Sequence, residues 1–132
     1  MTAYNLTIGN GTNTVSVDAE TNDVAIDIGG TFTNTANSTF KASSTASFTI
    51  AGSFVNSATG TFTANSGTVT LDATSGTPTI TSAGDSFNDL SIDNGGTTLT
   101  WTLSDALDIN DDLLIDTGNT LSTGTNYAVN VG

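Results

Sequence analysis

Cysteine, histidine and arginine are absent from this 132-residue chain, and Lys41 is its one basic side chain. Without cysteine no disulfide can brace the fold, so stability has to come from backbone hydrogen bonds and stacked side chains. Without cysteine or histidine, most nucleophile–base pairs of covalent catalysis cannot be assembled. Lys41 sits among Thr and Ser, where a lone lysine reads as a solvated or edge-protecting charge rather than a catalytic amine. Against that cation stand 13 acidic residues, for a net charge of −12. Nucleic acid is thereby set aside as a partner, because phosphates are bound by cations that displace their counterions. An anionic membrane surface is disfavoured for the same reason. No apolar run approaches the ~20 residues of a membrane-spanning helix. No charged stretch followed by an apolar one opens the chain, so a signal peptide is read as absent or already removed. Met1 is followed closely by strand-like Tyr4-Asn5-Leu6-Thr7-Ile8, which reads as a start codon placed on a fragment.

What the chain does contain is Thr, Ser, Asn and Gly, which supply more than half of it, Thr alone at 28 positions. So polar a composition can mean disorder, when too little apolar surface is available to offset the entropy of ordering. Here the hydrophobic fraction is 36%. Its Phe, Val, Ile and Leu fall two residues apart, the period of a strand. No stretch of 3.6-residue period survives amid so much Thr, Gly and Asn, so helix is not expected.

The strands repeat. Gly30-Thr31-Phe32, Ser38-Thr39-Phe40, Ala46-Ser47-Phe48, Gly52-Ser53-Phe54, Gly60-Thr61-Phe62 and Gly67-Thr68-Val69 place apolar centres at 32, 40, 48, 54, 62 and 69. The steps are 8, 8, 6, 8 and 7, and 8 + 8 + 6 makes 22. Phe32 to Phe54 and Phe40 to Phe62 are both 22 apart, and Phe48 to Val69 is 21. A second series, starting at Val24, Ala46, Val69, Leu90 and Leu113, advances by 22, 23, 21 and 23. Three short strands per turn of a coil give this pattern, with turns of variable length between strands of fixed register. An antiparallel sandwich also shows frequent turn signals but has no reason to repeat at 22.

The expected fold is therefore all-β: a three-sided parallel β-solenoid of about 22 residues per coil and about six coils, occupying 1–132 as one repeat domain. In each strand an apolar residue points into the coil while flanking Thr or Ser points out. Gly, Asn and Asp form the corners. Phe32 over Phe54 and Phe40 over Phe62 become internal aromatic ladders. A right hand is the default borrowed from parallel crossovers.

Stretches such as Gly60-Thr61-Phe62-Thr63-Ala64-Asn65-Ser66-Gly67-Thr68-Val69-Thr70-Leu71-Asp72 and Phe87-Asn88-Asp89-Leu90-Ser91-Ile92-Asp93 resemble the repeats of very long bacterial surface proteins of adhesin-like and autotransporter-like type. The resemblance is periodic and compositional and covers nearly the whole chain. It implies a parallel β-solenoid serving as stalk, fibre or adhesion element, and carries no functional residue to transfer.

Chemistry-bearing residues are almost all carboxylates. None lies between Asp27 and Asp72, while nine lie from Asp72 to Asp116. Asp105, Asp108, Asp111 and Asp112 form the dense cluster, where a pair of acids could in principle cleave a glycoside. Enzymes of this architecture generally add Arg, Lys or His to their acidic site, and the expectation here is no enzyme. Asp72, Asp93 and Asp116 follow the last inward residue of their strands and should stack on one corner, where like charges repel. A cation, a raised pKa or a splayed corner must relieve them. Ca²⁺ favours such oxygens, so Asp72, Asp93, Asp116, Asp108 and Asp112 are candidate Ca²⁺ ligands. Neither the EF-hand loop nor the glycine-aspartate nonapeptide is present: the sixth position of a loop starting at Asp108, where the EF-hand needs Gly, reads Leu113. The alternative is a solvated acidic face that keeps a fibre soluble.

A further reading is ice binding, through Thr77-Pro78-Thr79-Ile80-Thr81 stacked at an offset of 21 on Thr98-Leu99-Thr100-Trp101-Thr102. Elsewhere that match fails, since Val55 follows Thr33 by one coil and Lys41 stands where Thr63 needs a partner. Asn5, Asn10 and Asn37 open glycosylation-type triplets, in no excess for so Asn- and Thr-rich a chain. Trp101 and Tyr127 suit a partly buried position in the last coils better than a ligand platform.

No polar cap is visible at either end, and a bare solenoid end recruits another chain. The expected function is a structural module of an extracellular fibre, filament or cell-surface stalk. Its partner would be itself, head to tail, or adjoining repeats of a longer chain. The alternative is an adhesin-type module binding glycan or Ca²⁺ through the acidic C-terminal half.

Overall fold

The computed structural model describes Met1–Gly132 as seventeen short strands with no helix. The first coil holds β1 (Thr2–Ala3), β2 (Leu6–Ile8) and β3 (Val15–Asp18), and the second β4 (Ile26–Ile28), β5 (Phe32–Asn34) and β6 (Ser38–Lys41). The third holds β7 (Phe48–Ile50), β8 (Phe54–Asn56) and β9 (Thr61–Thr63). The fourth has only β10 (Thr68–Leu71) and β11 (Thr79–Thr81). The fifth holds β12 (Asp89–Ile92), β13 (Thr100–Leu103) and β14 (Leu107–Ile109), and the sixth β15 (Leu113–Ile115), β16 (Thr120–Ser122) and β17 (Val129–Val131). Every pairing is parallel and joins equivalent strands of successive coils. The first face is the six-stranded sheet β1-β4-β7-β10-β12-β15, and the second is β2-β5-β8-β11-β13-β16. The third is split into β3-β6-β9 and β14-β17. Six coils at the strand spacing make a rod about 28 Å long.

Alternation builds the core as the sequence pattern requires. In β4, β5, β7 and β8 the two end residues are buried and the middle one faces outward. Phe32 pairs with Phe54 and Phe40 with Phe62, as expected, their centroids 5.2 and 6.2 Å apart. All six phenylalanines join one cluster, which Phe87 extends into the fourth coil at 4.9 Å from Phe54 and 5.5 Å from Phe62. Trp101 is fully buried, not partly, and lies against the core beside Leu121 of the last coil. Its indole Nε1 has no hydrogen-bond partner.

Two steps read from the sequence are not kept. Val69 pairs with Phe48, as the 21-residue step of the phenylalanine series expects, so the 23-residue step from Ala46 to Val69 does not set the alignment. Thr79 pairs with Thr102, an offset of 23 rather than 21. The cause is the same in both. A slip of two residues keeps every side chain on its own side of the strand, so in–out periodicity does not detect it. Lys41 lies on β6, between β3 and β9, and so protects no edge.

Two features of the interior carry no hydrophobic signal. Asn34 and Asn56 point inward at the ends of β5 and β8 and are buried. Asn34 Nδ2 donates to Asn56 Oδ1 at 2.9 Å, and Asn56 Nδ2 donates to the Ser82 carbonyl at 3.0 Å. Gly60 runs past this ladder so closely that a Cβ would sit 2.9 Å from Asn56 Oδ1 and 3.0 Å from Asn34 Nδ2. At another corner Asn119 Nδ2 donates to Asn94 Oδ1 at 3.2 Å, and Asn94 Nδ2 to the Ala73 carbonyl at 3.1 Å. Each ladder satisfies backbone oxygens that the turning chain leaves without a strand partner.

Candidate functional site

The acidic column forms as its spacing requires. Leu71, Ile92 and Ile115 are successive partners on the first face, so the residues after them, Asp72, Asp93 and Asp116, line one corner. Their amides donate to the coil before: Asp72 to Ile50 at 3.0 Å, Asp93 to Leu71 at 3.1 Å and Asp116 to Ile92 at 2.9 Å. Asp72 Oδ1 is buried without a partner. Burial raises the Asp72 pKa above its ordinary value, its own backbone amide opposes that shift, and the nearby charges of Asp27 and Asp93 add to it. A raised pKa is one of the three expected ways to relieve such a stack.

The tightest group of carboxylates is a different one. Asp89, Asp111 and Asp112 each bring one oxygen within 4.8 Å of the others, at the corner where the third face turns into the first. The Asp112 amide donates to Asp89 Oδ1 at 3.2 Å, and Thr68 Oγ1 reaches Asp89 Oδ2 at 3.3 Å. Of the expected ligands only Asp112 belongs to this trio. Asp108 lies apart from it, on β14, paired with Asn130 of β17. Asp89 was not singled out from the sequence, although the 23-residue step from Leu90 to Leu113 sets it directly beneath Asp112. A trio of oxygens at this separation has the chemistry of a hard-cation site, three or more ligands short of the six to eight that Ca²⁺ takes.

Two other aspartates serve the backbone. The fourth coil has no strand on the third face, and Asp85 stands in for one: its Oδ2 accepts the Phe62 amide at 2.6 Å and Asn56 Nδ2 at 2.9 Å. Asp105 does the same a coil later, accepting the Ser82 amide at 2.9 Å and the Ala83 amide at 2.6 Å. Asp105 is thereby separated in role from Asp108, Asp111 and Asp112, its neighbours in the sequence.

The two ends of the rod are the remaining candidate surface. β15, β16 and β17 are each paired on one side only, as are β1, β2 and β3. Side chains that would be core in any inner coil are uncovered there. Ile115 is 40% exposed and Val131 52%. At the other end Leu6, Val15 and Val17 are only partly buried. No protein-family model, curated protein or solved structure matches the chain.

Proposed function

We propose that this chain is a structural segment of an extracellular fibre, filament or cell-surface stalk, in which β-solenoid coils continue past both ends. The continuing coils are supplied by a second copy or by adjoining repeats of a longer chain. The observation that carries this reading is the pair of rod ends, where unpaired strands and uncovered core positions stand together. Such an end is a template for further pairing. The role is mechanical: parallel ladders on three faces resist extension, and a Thr- and Asp-rich exterior keeps the rod hydrated. Two of the acidic residues, Asp85 and Asp105, are engaged in holding the coil together, which supports a non-enzymatic role. Sedimentation of the purified chain over a range of concentrations tests the reading. Mass rising in multiples of 13.3 kDa supports self-stacking. A monomer at every concentration removes self-stacking and leaves only coils of a longer chain.

A second reading is an adhesin-type module that binds Ca²⁺ through the acidic C-terminal half. Its support is the convergence of Asp89, Asp111 and Asp112. The glycan version is weaker, because Trp101 faces the core and offers no platform for a sugar ring.

A further inference from the structure

The interior columns can be followed from one end of the rod to the other. On the first face Ala3 pairs with Ile28, then Ile50, Leu71, Ile92 and Ile115 succeed it. On the third face Val17 pairs with Phe40 and Phe40 with Phe62. Phe87 packs on Phe62 and bridges to Ile109, which pairs with Val131. One column therefore opens at Val17 and closes at Val131. Beside it, Val15 opens β3 and Val129 opens β17. The outward residue between each valine pair is neutral and exposed, Ser16 at one end and Asn130 at the other.

Resting on the stacking reading, we propose that the C-terminal face of the rod binds the N-terminal face of a second copy in phase, with β17 against β3, β16 against β2 and β15 against β1. In that placement Val131 meets Val17, Val129 meets Val15 and Ile115 meets Ala3, so apolar columns and all three sheets run on across the junction. Rotation by one face breaks the match. With β3 on β15, Val17 lies on Ile115 and the next residues, Asp18 and Asp116, are stacked as like charges. With β3 on β16, the valine pair meets a strand whose one inward apolar side chain is Leu121. The interface is heterologous and does not close, so the product is an open filament.

Disulfide trapping separates these placements. The Ser16→Cys/Asn130→Cys double variant brings two thiols of neighbouring copies to about one strand spacing, ~4.8 Å, within the ~4.4–6.8 Å Cα separation a disulfide spans. Within one chain the same positions lie five coil steps apart, about 24 Å, and cannot join. Ser16→Cys/Leu114→Cys and Thr2→Cys/Asn130→Cys report the two rotated placements. On oxidation with diamide, which takes up the two thiol hydrogens, the in-phase variant is expected to give a ladder of dimers, trimers and longer species on a non-reducing gel. The two rotated variants are expected to remain monomeric. A ladder from a rotated pair, alone or equal to the in-phase one, overturns the phase and leaves stacking standing. No ladder from any of the three, with the parent β-sheet circular dichroism retained, overturns stacking itself.

Discussion

Asn34 and Asn56 lie 22 residues apart, and the amide of the first donates to the amide oxygen of the second at 2.9 Å inside the coil. One side-chain hydrogen bond thus records the coil period at a position where neither residue is apolar. Asn56 also donates to the Ser82 carbonyl and to Asp85, the carboxylate that replaces a missing strand. The two asparagines and Asp85 form one polar spine beside the phenylalanine cluster.

Truncation of that spine is expected to be costly. Asn56→Ala removes one of the two donors to the Ser82 carbonyl and one of the two to Asp85 Oδ2, and should lower stability by about 2 kcal/mol. Asn56→Asp should be worse, because it sets a second carboxylate 2.9 Å from Asp85 Oδ2, where a donor now stands. Urea denaturation of both variants checks the order. A loss smaller for Asp than for Ala would contradict the assigned role of the Asn56 donor.

Phe54 touches Phe32 at 5.2 Å, Phe62 at 5.0 Å and Phe87 at 4.9 Å, joining three consecutive coils. Phe54→Ala should cost about 3–5 kcal/mol, the range of a buried aromatic truncated to a cavity. Tyr4→Ala, at a side chain 79% exposed, should cost less than about 0.5 kcal/mol. Thermal melts of the two variants give the comparison.

The acidic corner gives a pH dependence of defined sign. The folded-state pKa of Asp72 is raised above 3.8, so the folded chain binds this proton more tightly than the unfolded one. Ionised Asp72 therefore opposes folding, and the opposition fades as pH falls through its folded-state pKa. Asp72→Asn should raise the melting temperature at pH 7, and its advantage should vanish below about pH 3.8. Asp18 has the opposite sign: hydrogen bonds from the Thr21 backbone and side chain lower its pKa. Its contribution is present above 3.8 and is lost as pH falls through the lowered value. Melting curves of Asp72→Asn and Asp18→Asn against pH should diverge from the parent in opposite directions at pH 7.

Calcium offers a test of the second functional reading. If Asp89, Asp111 and Asp112 hold Ca²⁺, millimolar CaCl₂ should raise the melting temperature of the parent, and Asp89→Asn should abolish the rise. An unchanged melting temperature leaves the three carboxylates as a solvated corner.

The period, the number of coils and the aromatic ladders were legible because Phe32, Phe40, Phe54 and Phe62 recur at a fixed spacing and each must face the core. The stack of Asp72, Asp93 and Asp116 followed from the same register. Less legible was anything a two-residue slip leaves unchanged, such as the pairing of Thr79 with Thr102. The asparagine ladders were hidden because Asn34, Asn56, Asn94 and Asn119 have the composition of ordinary corners. Asp89 was hidden because its partners Asp111 and Asp112 are one coil away in the chain. The gap on the third face followed from no motif, since Asp85 supplies by a side chain what a strand supplies elsewhere.

The most direct measurement is cryo-electron microscopy of the purified chain at high concentration. Coils that continue across the ends predict thin unbranched filaments with a ~4.8 Å axial layer spacing and a subunit rise of about six layers, ~29 Å. Compact monodisperse particles, or ribbons of rods lying side by side without that rise, would contradict end-to-end stacking.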